Sequence, residues 1–194
     1  MADETAAAIL TAVDRYGVLL VHDQVLPSVT ALVAGGPVSG SWWSHPEANR
    51  IYNALGALDG EVATVKLLNA KSTLVARRLW SHLVGVGAAG DEWQTVGLDH
   101  EALTVLATIE RSPVPVVVVK AQRPVAERLE RRLLVYTTDI HTPGGHHVKG
   151  HQSWGRWAND RHVTPTADSA AARAAFEPLA AAQARPGGRV RLPW

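Results

Sequence analysis

Apolar residues first recur at helical spacing. Ala6, Ile9, Leu10 and Val13 lie three or four apart, with Asp3 placed to cap the helix they predict and Gly17 to stop it. A short apolar run over residues 18–21 follows. Pro27 and Ser28 open a second segment over 29–33, which Gly35-Gly36-Pro37 ends. Gly40 to Pro46 is an aromatic loop containing Trp42 and Trp43. From Glu47 to Leu58, the residues Ile51, Leu55 and Leu58 form one stripe and predict a helix. The Asp59-Gly60 turn leads into a strand over 62–68, and Asn69-Ala70-Lys71 connects it tightly to 73–76, which predicts a hairpin. Residues 77–86 read as a helix carrying Leu79, Trp80 and Leu83, with Gly85, Gly87 and Gly90 weakening its end.

The stretch from Leu98 to Trp154 is the most informative. Asp99 can cap a helix to about residue 111, with Leu103, Leu106 and Ile109 inward. Ser112-Pro113-Val114-Pro115 breaks it, and 116–119 is a buried-strand run or a short connection. Pro124 suits the first turn of the next helix. There Val125, Leu129 and Leu133 recur every four residues, while Arg128, Arg131 and Arg132 occupy another face. Residues 133–140 then read as a strand, Thr142-Pro143-Gly144-Gly145 as a turn, and 146–152 as the returning strand.

Helix, connection, basic helix and glycine-tipped hairpin, over about 55 residues, resemble a winged-helix domain. The resemblance implies that residues 125–132 form the reading helix and 139–149 the wing. In winged helices a helix often lies in the major groove while the hairpin touches backbone or minor groove. Some winged-helix proteins are bacterial DNA glycosylases with a pair of glutamines around an apolar residue. Gln24, Gln94, Gln122, Gln152 and Gln183 include no such pair, which argues against that chemistry.

Beyond Trp157 the character changes. An alanine-rich helix is expected from about Asp168 through Ala184 despite Pro178. Arg185-Pro186-Gly187-Gly188 ends it, leaving an arm with Arg185, Arg189 and Arg191 that reads as a flexible terminus, with docking through Leu192 and Trp194 or reach to an anionic surface as the alternatives. The expected fold class is α+β, in three parts: an N-terminal α+β region over 1–95, in which a second, degenerate winged helix is one reading; a winged-helix-like domain over 96–160; and the helix with its basic arm over 161–194.

Composition narrows the classes. The 194 residues are 46% hydrophobic and 19% charged, which excludes wholesale disorder. No apolar run reaches the length of a membrane span, and the first residues lack the pattern of a secretory signal, so a cytoplasmic protein without a membrane partner is expected. Cysteine is absent, which removes disulfides, thiol nucleophiles and cysteine zinc sites. The formal charge of +1 is unevenly distributed: residues 1–110 hold six Lys/Arg against twelve Asp/Glu, residues 111–162 hold nine against four, and residues 163–194 hold four against two. Such asymmetry fits an anionic partner or attraction within one fold.

Three groups can carry chemistry. Asp139 and His141 share a strand face. With Pro143-Gly144 at the turn centre, His141 sits opposite His146; with Gly144-Gly145 there, it faces Val148. The first register allows an Asp–His general base or a divalent metal at His141 and His146, although no cofactor is expected; the plain alternative is a solvated, phosphate-touching wing. Trp42, Trp43 and His45 can stack on a base, wall a pocket or pack internally. Lys71, Arg77 and Arg78, with Arg128, Arg131, Arg132, His146, His147 and Lys149, can meet phosphate or another anion, though Glu127 and Arg131 also form an i,i+4 pair.

The signatures of phosphate-loop, dinucleotide-binding, zincin and nucleophile-elbow proteins are missing. The leading expectation is a nucleic-acid-binding protein using the basic helix and the His/Lys wing. The rival is an enzyme on a small anionic substrate, with Asp139 and His141 as base in a tryptophan-walled cleft. A third is a protein-interaction subunit whose partner completes a site.

Overall fold

The computed structural model describes residues 2–141 and 147–194. The chain divides into two compact units, Met1–Trp80 with Ala174–Leu192, and Ser81–Arg173 with Pro193–Trp194. This boundary falls earlier than the 95/96 division expected from sequence, and the C-terminal segment returns to the first unit.

In the first unit, α1 (Ala2–Tyr16) begins before Asp3, so Asp3 lies in the helix instead of capping it. Its Ala6, Ile9 and Val13 are buried. Gly17 closes the helix at φ +78°, a left-handed conformation that favours glycine, and a side chain there would strike Leu179 and Leu79. The chain turns into β1 (Val18–Leu20). Ser28 caps α2 (Val29–Ala34) by accepting the Ala31 N–H at 3.3 Å, and left-handed Gly35 ends it. A single 3-10 turn at Trp42–Ser44 precedes α3 (Ala48–Ala57). The strands β2 (Val62–Lys66) and β3 (Ser72–Ala76) pair antiparallel from Val62 opposite Ala76 to Lys66 opposite Ser72. On its other edge β3 takes β1, with Val18 opposite Val75, so the sheet order is β1-β3-β2. Ile9 and Val13 of α1, Ile51 and Ala54 of α3, and Leu19 and Leu74 of the sheet share one core. Each large aliphatic side chain buried there contributes about 1.5–3 kcal/mol.

The second unit opens with α4 (Trp80–Gly87), of which residues 81–87 belong to it. Gly85 lies against the Thr166 carbonyl and Gly87 against the Trp154 indole, at distances that leave no room for a Cβ. These glycines are points of close approach, not merely a weak helix end. A short helix the sequence reading missed, α5 (Glu92–Thr95), is held by a capping box between Asp91 and Gln94. Asp99 caps α6 (His100–Arg111) through the Ala102 N–H at 2.8 Å. Ala102, Val105, Leu106 and Ile109 face inward, whereas Leu103 is 48% exposed and stands off the stripe.

Of the two readings at 116–119, the structure has the short connection and not the buried strand. Only Val116 pairs, exchanging backbone hydrogen bonds of 2.8 and 2.9 Å with His151, while Val117 and Val119 are exposed. Pro113 and Pro115 have no N–H with which to extend a ladder. Pro124 occupies the first turn of α7 (Arg123–Arg131). The strands β4 (Tyr136–His141) and β5 (His147–Gln152) form an antiparallel pair. Trp154 and Trp157 of α8 (Trp154–Asp160) are buried and pack edge to face on each other. The alanine-rich segment is two helices, α9 (Ser169–Ala174) and α10 (Glu177–Gln183), with Pro178 in the first turn of the latter. The class is α+β. No helix among the described residues is long and apolar enough to cross a membrane.

Candidate nucleic-acid interface

The solvent face of α3 follows from its periodicity. Ala48, Ile51 and Ala54 are buried, so Asn49, Tyr52, Asn53 and Gly56 project on the opposite arc, all exposed. Asn49 and Asn53 are one turn apart. A Cβ at Gly56 would meet nothing within 4 Å, so the fold itself does not require glycine there. Arg50 at the far edge is exposed but engaged, donating to Thr5 at 2.9 Å and pairing with Glu47 at 3.2 Å. Along the near edge, Trp43 is 61% exposed and stacks on half-buried Trp42 with ring centroids 4.1 Å apart. Tyr52 lies 5.8 Å from the Trp43 ring. The tryptophan pair therefore splits its duties, one indole packed on the core and one presented to solvent. His45 accepts the Glu47 N–H at 3.2 Å through Nδ1 and shapes the entry to α3.

The β2–β3 connection carries Lys71, which is half exposed and ion-paired to Asp23 at 2.7 Å. Burial pushes the Asp23 carboxyl up, but the Leu26 N–H, Lys71 and the Val25 N–H outweigh it and hold the group below its ordinary value. Arg77 lies over the Trp80 ring, 5.3 Å from its centroid, and Arg78 is exposed.

In the second unit the α7 arginines are largely engaged. Arg128 pairs with Asp99 at 2.7 Å and Arg131 with Glu127 at 3.6 Å. The Ala102 N–H and then Arg128 hold the Asp99 carboxyl below its ordinary value. Arg132 is spent on the backbone, donating to the Gln94 and Val96 carbonyls. Gln94 returns hydrogen bonds to the Arg132 and Leu133 carbonyls, and the Trp154 indole N–H also donates to Leu133. Arg132 is thus a clamp on the left-handed Leu133 corner.

The hairpin register matches neither expectation: His141 stands opposite His147, and Asp139 opposite Lys149. Residues 142–146 lie outside the described set, so the expectations for His146 and for a metal there do as well. The carboxylate–imidazole pair that the structure does build is a different one. His151 Nδ1 lies 3.6 Å from Glu130 and 3.1 Å from the Thr137 hydroxyl, with Lys149 3.7 Å from the other Glu130 oxygen. Burial pushes the His151 imidazole below its ordinary value, and Glu130 offsets this only in part. At 2% exposure His151 is sealed from a dissolved substrate. Glu130 lies on the buried side of α7, four residues after buried Ala126. Among the described residues no group of three His, Asp or Glu side chains is arranged to hold a metal ion.

No family model, curated protein or solved structure matches the chain.

Proposed function

We propose that this chain is a nucleic-acid-binding protein of the winged-helix type whose reading element is α3 of the first unit. The first unit runs helix, strand, helix, helix, strand, strand, with the first strand beside the last. That is the order and pairing of a winged helix, in which the third helix enters the major groove and the final hairpin is the wing. The observation that carries the reading is the outer face of α3. In that reading position it displays Asn49 and Asn53, whose amides match the N6 and N7 edge of adenine, and open Gly56 lets a groove wall approach. Trp43 and Tyr52 add an aromatic ledge at its margin.

This moves the reading helix from residues 125–132, where Arg128, Arg131 and Arg132 are engaged within the unit, to residues 48–57. It makes the N-terminal half the principal contact. The test is fluorescence anisotropy with a random pool of short duplex DNA at low salt. Asn49→Ala with Asn53→Ala should weaken the tightest-bound sequences by roughly fivefold or more per side chain, the value of about 1–3 kcal/mol each. Arg128→Ala with Arg131→Ala should leave binding near the parent value. Loss in the arginine variant with none in the asparagine variant overturns the assignment, and absence of parent binding overturns the function.

A further inference from the structure

The C-terminal arm was expected to be flexible, but within the first unit it is a built element. After α10 the chain makes a tight turn through Pro186 and Gly187, the latter at φ +80°, and Arg185 bridges Gly188. Gly188 then sits so close to Leu26 and Val25 that a Cβ would reach within 2.7 Å of the Leu26 side chain. The next stretch is fastened to the β2–β3 connection by one residue. Asn69 donates its side-chain amide to the Arg189 carbonyl at 2.8 Å and accepts the Arg191 N–H at 2.9 Å; its own N–H donates to the Arg191 carbonyl at 2.9 Å. Asn69 and Ala70 both hold a left-handed backbone, at φ +54°. Asparagine tolerates that conformation better than most residues.

Three hydrogen bonds over a separation of about 120 residues thus lay the arm along the connection that bears Lys71. Its backbone is occupied by Asn69, while the side chains of Arg189 and Arg191 are exposed. Neither makes an ion pair among the described residues. We infer that the C-terminal arm completes the wing of the first unit, and that Arg189 and Arg191 contact the phosphate backbone of bound nucleic acid beside Lys71. This rests on the nucleic-acid reading of the same unit. It adds to that reading a second, sequence-independent contact supplied from the opposite end of the chain. Guanidinium forks suit phosphate oxygens bidentately, and Asn69 is the positioning residue that holds them in place.

The measurement is the salt dependence of duplex binding for the full chain. Each phosphate contact contributes about 0.9 to the slope of log affinity against log salt. Arg189→Ala with Arg191→Ala should weaken binding by the same factor for every duplex sequence and lower the slope by about 2. Asn69→Gly keeps the left-handed backbone but removes both side-chain hydrogen bonds, and should lower affinity in the same sequence-independent way by a smaller factor. An unchanged slope in the double arginine variant, with parent binding intact and sensitive to Asn49→Ala and Asn53→Ala, overturns the arm alone. Absence of parent binding overturns both readings.

Discussion

His151 shows how one residue's surroundings decide what it can do. Desolvation pushes its imidazole below the ordinary value inside the second unit, with Thr137 and Glu130 on its Nδ1 side and Lys149 nearby. Because the folded value lies below the ordinary 6.5, the unfolded chain takes up a proton first as pH falls. Stability that is full well above pH 6.5 should therefore decline through that value and continue down to the folded one. Urea midpoints measured between pH 8 and 5 should show this decline in the parent, and His151→Gln should flatten it. An equal slope in both proteins would mean that other groups carry it. The imidazole pair legible in sequence was the local one, Asp139 with His141. The pair that formed joins a helix to a strand 21 positions later, a contact that spacing alone does not disclose.

At the scale of elements, periodicity located most helices and both hairpins, because a buried stripe or an alternating run is written directly in residue order. α1 and α3 follow their predicted stripes, while in α6 Leu103 turns to solvent and in α7 the last stripe residue, Leu133, falls past the helix end. The failures have physical causes. α5 is too short to show a period, and it is held by its capping box and by tertiary bonds from Gln94. The valines at 116–119 fitted a buried strand or a short connection equally in sequence; Pro113 and Pro115 just before them cannot donate to a ladder, and the run is the connection. The glycines were ambiguous in sequence and became distinct in structure. Gly87 has the Trp154 ring against it, while Gly56 has open space in the last turn of α3. Gly56→Ala should raise stability by up to about 1 kcal/mol, the gain of alanine over glycine in a helix interior being reduced in the last turn. If a groove wall approaches there, the same change should weaken duplex binding. A variant both more stable and equally tight would show that nothing approaches Gly56. Thermal melts and anisotropy on the same preparation separate these outcomes.

For the whole molecule, the α+β class was legible, but the helix proposed as the reading element was not. The basic helix at 123–131 stood out because sequence displays charge without displaying pairing. Arg128 and Arg131 of this helix pair with Asp99 and Glu127, and Arg132 just past it donates to backbone carbonyls of its own unit. The face of α3 carries no charge signature, and the arm reaches Asn69 only through the fold. The measurement that tests the proposed interface most directly is a map of backbone amide shifts in the full chain on adding short duplex DNA. The largest changes should fall on residues 48–57, the 66–72 connection and residues 189–191. Changes confined to residues 123–131 and the 136–152 hairpin, or no changes at all, would contradict it.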